Sequence, residues 1–141
     1  MARKDITMSP EEVQSFLASG HTLQVATNGP DGRPHLAPMW YVIEEGRVVF
    51  RSFTKSQKIV NLQRDPKLTV LVERGLAYNE LQGVLIRGTA RLVDDPAYVL
   101  QVYGRLAAKY TVVGDGPVEL DPEALEAAFG RFVAQFAHHL S

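Results

Sequence analysis

The sequence predicts an α+β fold, mainly β: a small antiparallel barrel packed by helices. Three observations lead there. Apolar runs of strand length recur through Val93, separated by tight turn chemistry. Helical stripes open the chain, interrupt the strands once, and close it. The 141 residues, 45% hydrophobic and 22% charged, suit one globular domain spanning 1–141 with a real core. No internal repeat, low-complexity tract or linker divides it.

The first helix starts at Ser9-Pro10-Glu11-Glu12. Ser9 caps, Pro10 fits the first helical position, and Glu12 completes a capping box. Val13, Phe16 and Leu17 form its apolar stripe, and Gly20 stops it. His21–Thr27 reads as a strand. Asn28-Gly29-Pro30-Asp31-Gly32 is a turn, and Pro34–Ile43 a second strand. Glu44-Glu45-Gly46 turns into a third strand, Arg47–Phe53, giving an antiparallel meander.

Lys55–Arg64 follows as a short helix with Ile59 and Leu62 buried, ended by Asp65-Pro66. Lys67–Glu73 and Leu81–Val93 are strands, and the two glycines inside the latter suggest a bulge or bend. Asp94-Asp95-Pro96 opens a helix through about Lys109, followed by a loop, Tyr110–Leu120. A final helix capped by Asp121 is expected, with Leu125, Phe129, Phe132, Val133 and Phe136 as its stripe.

Composition excludes several functions. With no cysteine there is no disulfide, thiolate catalysis or cysteine-ligated metal. The net charge of −1 speaks against a general nucleic-acid binder. No apolar run reaches the roughly 20 residues that span a bilayer. The start is not secretory, so the expectation is a cytoplasmic protein with no membrane partner. His21, His35, His138 and His139 lack metal-ligand spacing, and no metal is expected. They read as strand-end or solvated residues.

One segment stands out. Arg47–Arg64 carries five basic residues and no acidic one. Within it Arg51, Ser52, Thr54, Lys55, Ser56 and Lys58 mix cations with hydroxyls where a strand gives way to a helix. Helix-start N–H groups, their dipole and nearby cations together favour a phosphate. Arg51 and Lys58 are the expected phosphate ligands, with Ser52 and Thr54 as hydroxyl donors. Lys55 and Ser56 can replace either pair. The competing reading is a solvated helix face with an edge-strand arginine.

The second candidate is Pro38-Met39-Trp40-Tyr41. Met39 and Tyr41 share one strand face, and Pro38 and Trp40 the other. Proline inside a strand marks an irregular or edge position, where a planar ring can rest against backbone and side chains. Each side chain taken singly also suits a core. Pairing with Arg47–Phe53 places this strand beside the phosphate ligands.

These residues together resemble the pyridoxamine 5′-phosphate oxidase-like superfamily of flavin- and deazaflavin-binding split β-barrels. The resemblance covers Ser9–Asp95. It rests on a turn, a strand ending in P-M-W-Y, a second strand, a T-K-S-x-K-x-x-N-L-x-R-D-P helix, and two strands. It is nearest to the actinobacterial branch with coenzyme F420-dependent reductases. It implies an antiparallel split β-barrel with flanking helices, dimeric, with cofactor sites at the homodimer interface. Leu36–Tyr41 then lies along the cofactor ring, and Arg51–Lys58 holds its phosphate. Tyr78–Gln82 of the partner subunit, with Gln82 as a cofactor contact, and the C-terminal helices complete the pocket. The C-terminal arginine and histidine segment of a true pyridoxamine phosphate oxidase is missing, which speaks against pyridoxal phosphate synthesis.

The implied function is an oxidoreductase passing a hydride from reduced F420 to a small conjugated acceptor. An FMN oxidoreductase of the same fold is the alternative, as is a non-catalytic flavin or deazaflavin binder. F420 carries an acidic tail, for which Arg87, Arg91, Arg105 and Lys109 are candidate cations. Tyr41, Tyr78 or solvent are candidate proton donors.

Overall fold

The computed structural model describes residues 7–52, 55–110 and 133–140. Helix α1 (Pro10–Ser19) begins as expected. Ser9 Oγ accepts from the Glu12 N–H, and the Glu12 carboxylate accepts from the Ser9 N–H, each at 3.2 Å. Val13, Phe16 and Leu17 are its buried face.

Among the described residues seven strands follow: β1 (Leu23–Asn28), β2 (Pro34–Met39), β3 (Tyr41–Glu44), β4 (Arg47–Arg51), β5 (Lys67–Arg74), β6 (Gln82–Val93) and β7 (Val133–Leu140). Helix α2 (Gln57–Arg64) lies between β4 and β5, and α3 (Pro96–Tyr110) follows β6. The strands form one antiparallel sheet in the order β2-β1-β5-β6-β7-β4-β3. The two edge strands, β2 and β3, are consecutive in the chain, with Trp40 alone between them. The expected strand Pro34–Ile43 is therefore two strands. Its first half pairs with β1 and its second with β4, so one continuous segment spans both edges of the sheet. That is the seam of a split barrel.

Strand alternation divides the core. Val48 and Phe50 turn inward with Tyr41, Leu23, Val25, Val70 and Ile86, and α1 and Leu62 of α2 pack on this cluster. Val42 and Val49 turn outward and are covered by Val99, Val102 and Tyr103 of α3.

Three further expectations change. The β5–β6 register runs unbroken from Lys67↔Thr89 to Arg74↔Gln82, so Gly83 and Gly88 mark no bulge in it. Tyr110 is the buried last residue of α3, not the start of a loop. Most consequentially, Val133 and Phe136 lie in a strand, not on a helix. β7 fills the slot between β6 and β4, with Phe136 opposite both Ala90 and Val48. His138 and His139 pair with Gly88 and Arg87 in the same ladder. Asp121, Leu125, Phe129 and Phe132 lie outside the described residues.

Candidate cofactor site

The basic segment folds into a compact cluster. Lys58, the second residue of α2, is only 9% exposed, and its ammonium donates to Ser52 Oγ at 2.9 Å. Ser52 Oγ shares a further hydrogen bond with Ser56 Oγ at 3.0 Å. Ser56 occupies the N-cap of α2, yet its hydroxyl makes no capping bond and is directed to Ser52 instead. Buried Asn61, donating to Thr27 Oγ1 at 3.0 Å, ties α2 to β1 and fixes the helix under this cluster.

The electrostatics fit an anion. Lys58 has three N–H donors, and one goes to Ser52. Among the described residues no carboxylate forms an ion pair with it. Burial pulls its pKa below the usual lysine value. A buried cation held by one hydroxyl, with no carboxylate paired to it among the described residues, is chemically suited to an anion such as a phosphate oxygen.

Arg51 flanks the cluster from the other side of the strand. Val49 and Arg51 share the outward face of β4, so the guanidinium reaches α3. It is 5% exposed and lies over the Tyr103 ring, 3.2 Å from the centroid. Neighbouring Ser52 turns toward α2. The structure thus brings Ser52, Ser56 and Lys58 into hydrogen-bond contact, with Arg51 joined to them through the chain.

The other expected ligands divide. Thr54 lies outside the described residues. Lys55 is exposed and stands apart from the hydrogen-bonded cluster. Gln82 heads β6 and accepts from Arg74 Nε at 2.9 Å. Arg51 pairs with Val133, and Val133 with Val93, at the opposite end of that 12-residue strand. Within one chain, Gln82 and Arg51 are far apart.

The ring platform is partly as expected. Pro38 and Trp40 are exposed, Trp40 by 49%. Met39 packs its side chain on the inner core and is not part of that surface. Tyr41 pairs with Phe50, so Trp40 sits one residue past the ladder, level with Arg51. The indole stacks on Tyr110, with centroids 4.2 Å apart and planes 8° from parallel.

Tyr41 is unsuited to proton donation. It is fully buried, its hydroxyl donates to the Leu17 carbonyl at 2.5 Å, and burial raises its pKa. Tyr78 is 92% exposed. Of the tail candidates, Arg105 pairs with buried Glu44 at 2.8 Å, and the Lys109 ammonium sits 3.7 Å over the Tyr41 ring. Tyr103 and Tyr110 escaped the sequence reading. Both look like core residues of an amphipathic helix, and nothing local links them to strands more than 50 residues earlier.

Fold and cluster together define a split-barrel protein with a buried lysine–serine cluster at a strand–helix junction. The chain belongs to the pyridoxamine 5′-phosphate oxidase family, whose profile matches residues 9–136. No curated protein sequence matches it. Among solved structures it is similar to a conserved hypothetical protein from Mycobacterium tuberculosis, 36% identical with a TM-score of 0.80 over 96% of this chain and 83% of that one. It is also similar to an F420 reductase, 26% identical with a TM-score of 0.72 over 93% and 96% of the two chains. An FAD-binding protein from Mesorhizobium loti, at 18% identity, a TM-score of 0.66 and coverage of 92% and 88%, shares the fold.

Proposed function

We propose that the protein is an oxidoreductase that binds coenzyme F420 and passes a hydride to a small conjugated organic acceptor. The observation that carries this is the buried Lys58, held by Ser52 beside Ser56 and Arg51, one strand away from the exposed Trp40–Pro38 edge. A phosphate in the cluster and a ring along that edge match the two ends of a ribityl-linked cofactor. The reduced deazaflavin supplies the hydride. The chain's own residues bind, orient and shield. Lys58 and Arg51 neutralise the phosphate, the hydroxyls set its direction, and Trp40, braced by Tyr110, borders the ring.

The likeness to an F420 reductase along nearly the whole chain favours F420. FMN is the second reading, because the cluster grips a phosphate that both cofactors carry. A homodimer belongs to the same proposal. Gln82 can approach Arg51 only from a second copy, and Leu36, Leu76, Tyr78 and Leu81 leave large apolar side chains exposed. The cytoplasm remains the proposed location; among the described residues, no helix is long and apolar enough to cross a membrane.

Titration of purified protein with F420 and FMN separately, followed by absorbance, tests the reading. Saturable F420 binding with weaker FMN binding is expected. Tighter FMN binding reverses the choice of cofactor, and binding of neither removes the proposal.

A further inference from the structure

We infer that Tyr103, on α3, is a positioning residue for the phosphate end of the site, acting through Arg51. The inference rests on the cofactor reading above and adds to it a residue 45 positions beyond Lys58.

The geometry is specific. The Arg51 guanidinium carbon lies 3.2 Å from the centre of the Tyr103 ring, so the planar cation rests on the π face. Both side chains are buried, at 5% and 3% exposed. A cation on an aromatic face is held more strongly once desolvated. A guanidinium on a four-bond stem is otherwise free to take many directions, and that freedom is lost when an anion binds. A ring that already fixes the plane lowers the entropic cost of binding. Stacking uses the face of the guanidinium and leaves the N–H groups in its plane for hydrogen bonding.

The hydroxyl of Tyr103 sharpens the point. It is buried, and among the described residues it has no hydrogen-bond partner. A tyrosine kept in a core for its hydroxyl would have that hydroxyl bonded. Here the aromatic face is what the fold uses. Alternation on β4 places Arg51 under α3, while its neighbour Ser52 turns to Lys58. The anion site is therefore clamped from two helices. Lys58 acts from α2 directly, and Tyr103 acts from α3 by way of Arg51.

The test compares each cofactor with its phosphate-free alcohol: FMN against riboflavin, and F420 against its deazaflavin ribityl alcohol. The readout is the dissociation constant of the alcohol divided by that of the phosphate form, for whichever pair the wild type binds. This ratio isolates the phosphate and is insensitive to general loosening of the ring site. Tyr103→Phe keeps the face and is expected to stay within about twofold of wild type. Tyr103→Leu is expected to lower the ratio about 5- to 30-fold, the equivalent of one desolvated cation–π contact. Tyr103→Met, which retains more volume, serves if the leucine variant does not fold. Arg51→Ala is the reference. If Arg51→Ala collapses the ratio while Tyr103→Leu or Tyr103→Met preserves it, the positioning role is overturned and the cofactor reading stands. A large loss in Tyr103→Phe also overturns it, because the hydroxyl would then be the active part. A wild type with no preference for the phosphate form overturns both.

Discussion

The indole of Trp40 and the phenol of Tyr110 lie face to face, 4.2 Å apart and within 8° of parallel, across the point where one strand becomes two. Tyr110 does more there than stack. Its hydroxyl accepts from the Tyr41 N–H at 3.1 Å and donates to the His21 carbonyl at 2.7 Å. At the seam, where the chain leaves β1 for β4, a side chain from α3 supplies the bond that a neighbouring strand would otherwise supply. Tyr110→Phe keeps the ring but strips that acceptor from a buried N–H. Such a loss costs about 1–3 kcal/mol. Urea unfolding should show this as a lowered midpoint with an unchanged slope. Trp40 is the only tryptophan, so its emission should stay near the wild-type value, because the stack remains.

Lys58 should separate affinity from stability. Burial disfavours its charged form, and among the described residues no carboxylate offsets that cost. Lys58→Met removes the charge and keeps the length. The unfolding midpoint is expected to hold or rise, whereas cofactor affinity should fall by well over tenfold, since a charge-assisted bond to phosphate contributes about 1.5–3 kcal/mol. Arg51→Ala combined with Lys58→Ala should lose more affinity than either alone. Isothermal titration alongside thermal melts reads both quantities. An equal loss of stability and affinity in Lys58→Met would assign the residue to the core instead.

What was legible in the sequence follows the range of the forces involved. The capping box of α1, the buried pair Ile59 and Leu62, and the Asp95-Pro96 helix start depend on residues a few positions apart, and all formed as expected. Ser52, Ser56 and Lys58 were readable for the same reason: a strand end and the next helix turn are close in sequence. β7 was not. Phe129, Phe132, Val133 and Phe136 recur at helical spacing, but an open slot between β4 and β6 determines the fate of Val133–Leu140. Tertiary pairing outweighs local period there. The break at Trp40 was hidden because both halves of Pro34–Ile43 are genuine strands; only their partners differ. Tyr103 depends on a contact across the fold, which spacing does not encode.

Gly20 ends α1 against the barrel at very close range. A Cβ there would meet the Tyr41 hydroxyl and come within 2.6 Å of a Val72 methyl. Its backbone angles, φ −71° and ψ 157°, suit any residue, so the constraint is space alone. Gly20→Ala therefore forces the Tyr41 hydroxyl off the Leu17 carbonyl or moves α1 outward. Overpacking of this kind costs about 1–3 kcal/mol. Differential scanning calorimetry should record a lower Tm. Tyr41→Phe, which removes the clashing oxygen, should recover part of the loss in the double variant.

Lys109 provides a pH signature. Burial against the Tyr41 ring pulls its pKa from the usual lysine value down to about 8. The folded state releases this proton near pH 8, while the unfolded chain keeps it to about 10.5. Between these values the unfolded state binds more protons, so this group makes the protein more stable as pH rises, with its full penalty present below about 8. Tyr41 and Tyr110, whose pKa values are raised by burial, oppose this above pH 10, where the unfolded chain ionises its tyrosines first. Lys58 adds a slope of the same sign as Lys109. The difference between wild type and Lys109→Met isolates the one group. Chemical denaturation from pH 7 to 10 should show Lys109→Met the more stable at pH 7, with its advantage shrinking steadily above pH 8. A constant difference across that range would mean that Lys109 stays charged in the folded protein, held over the ring as a cation.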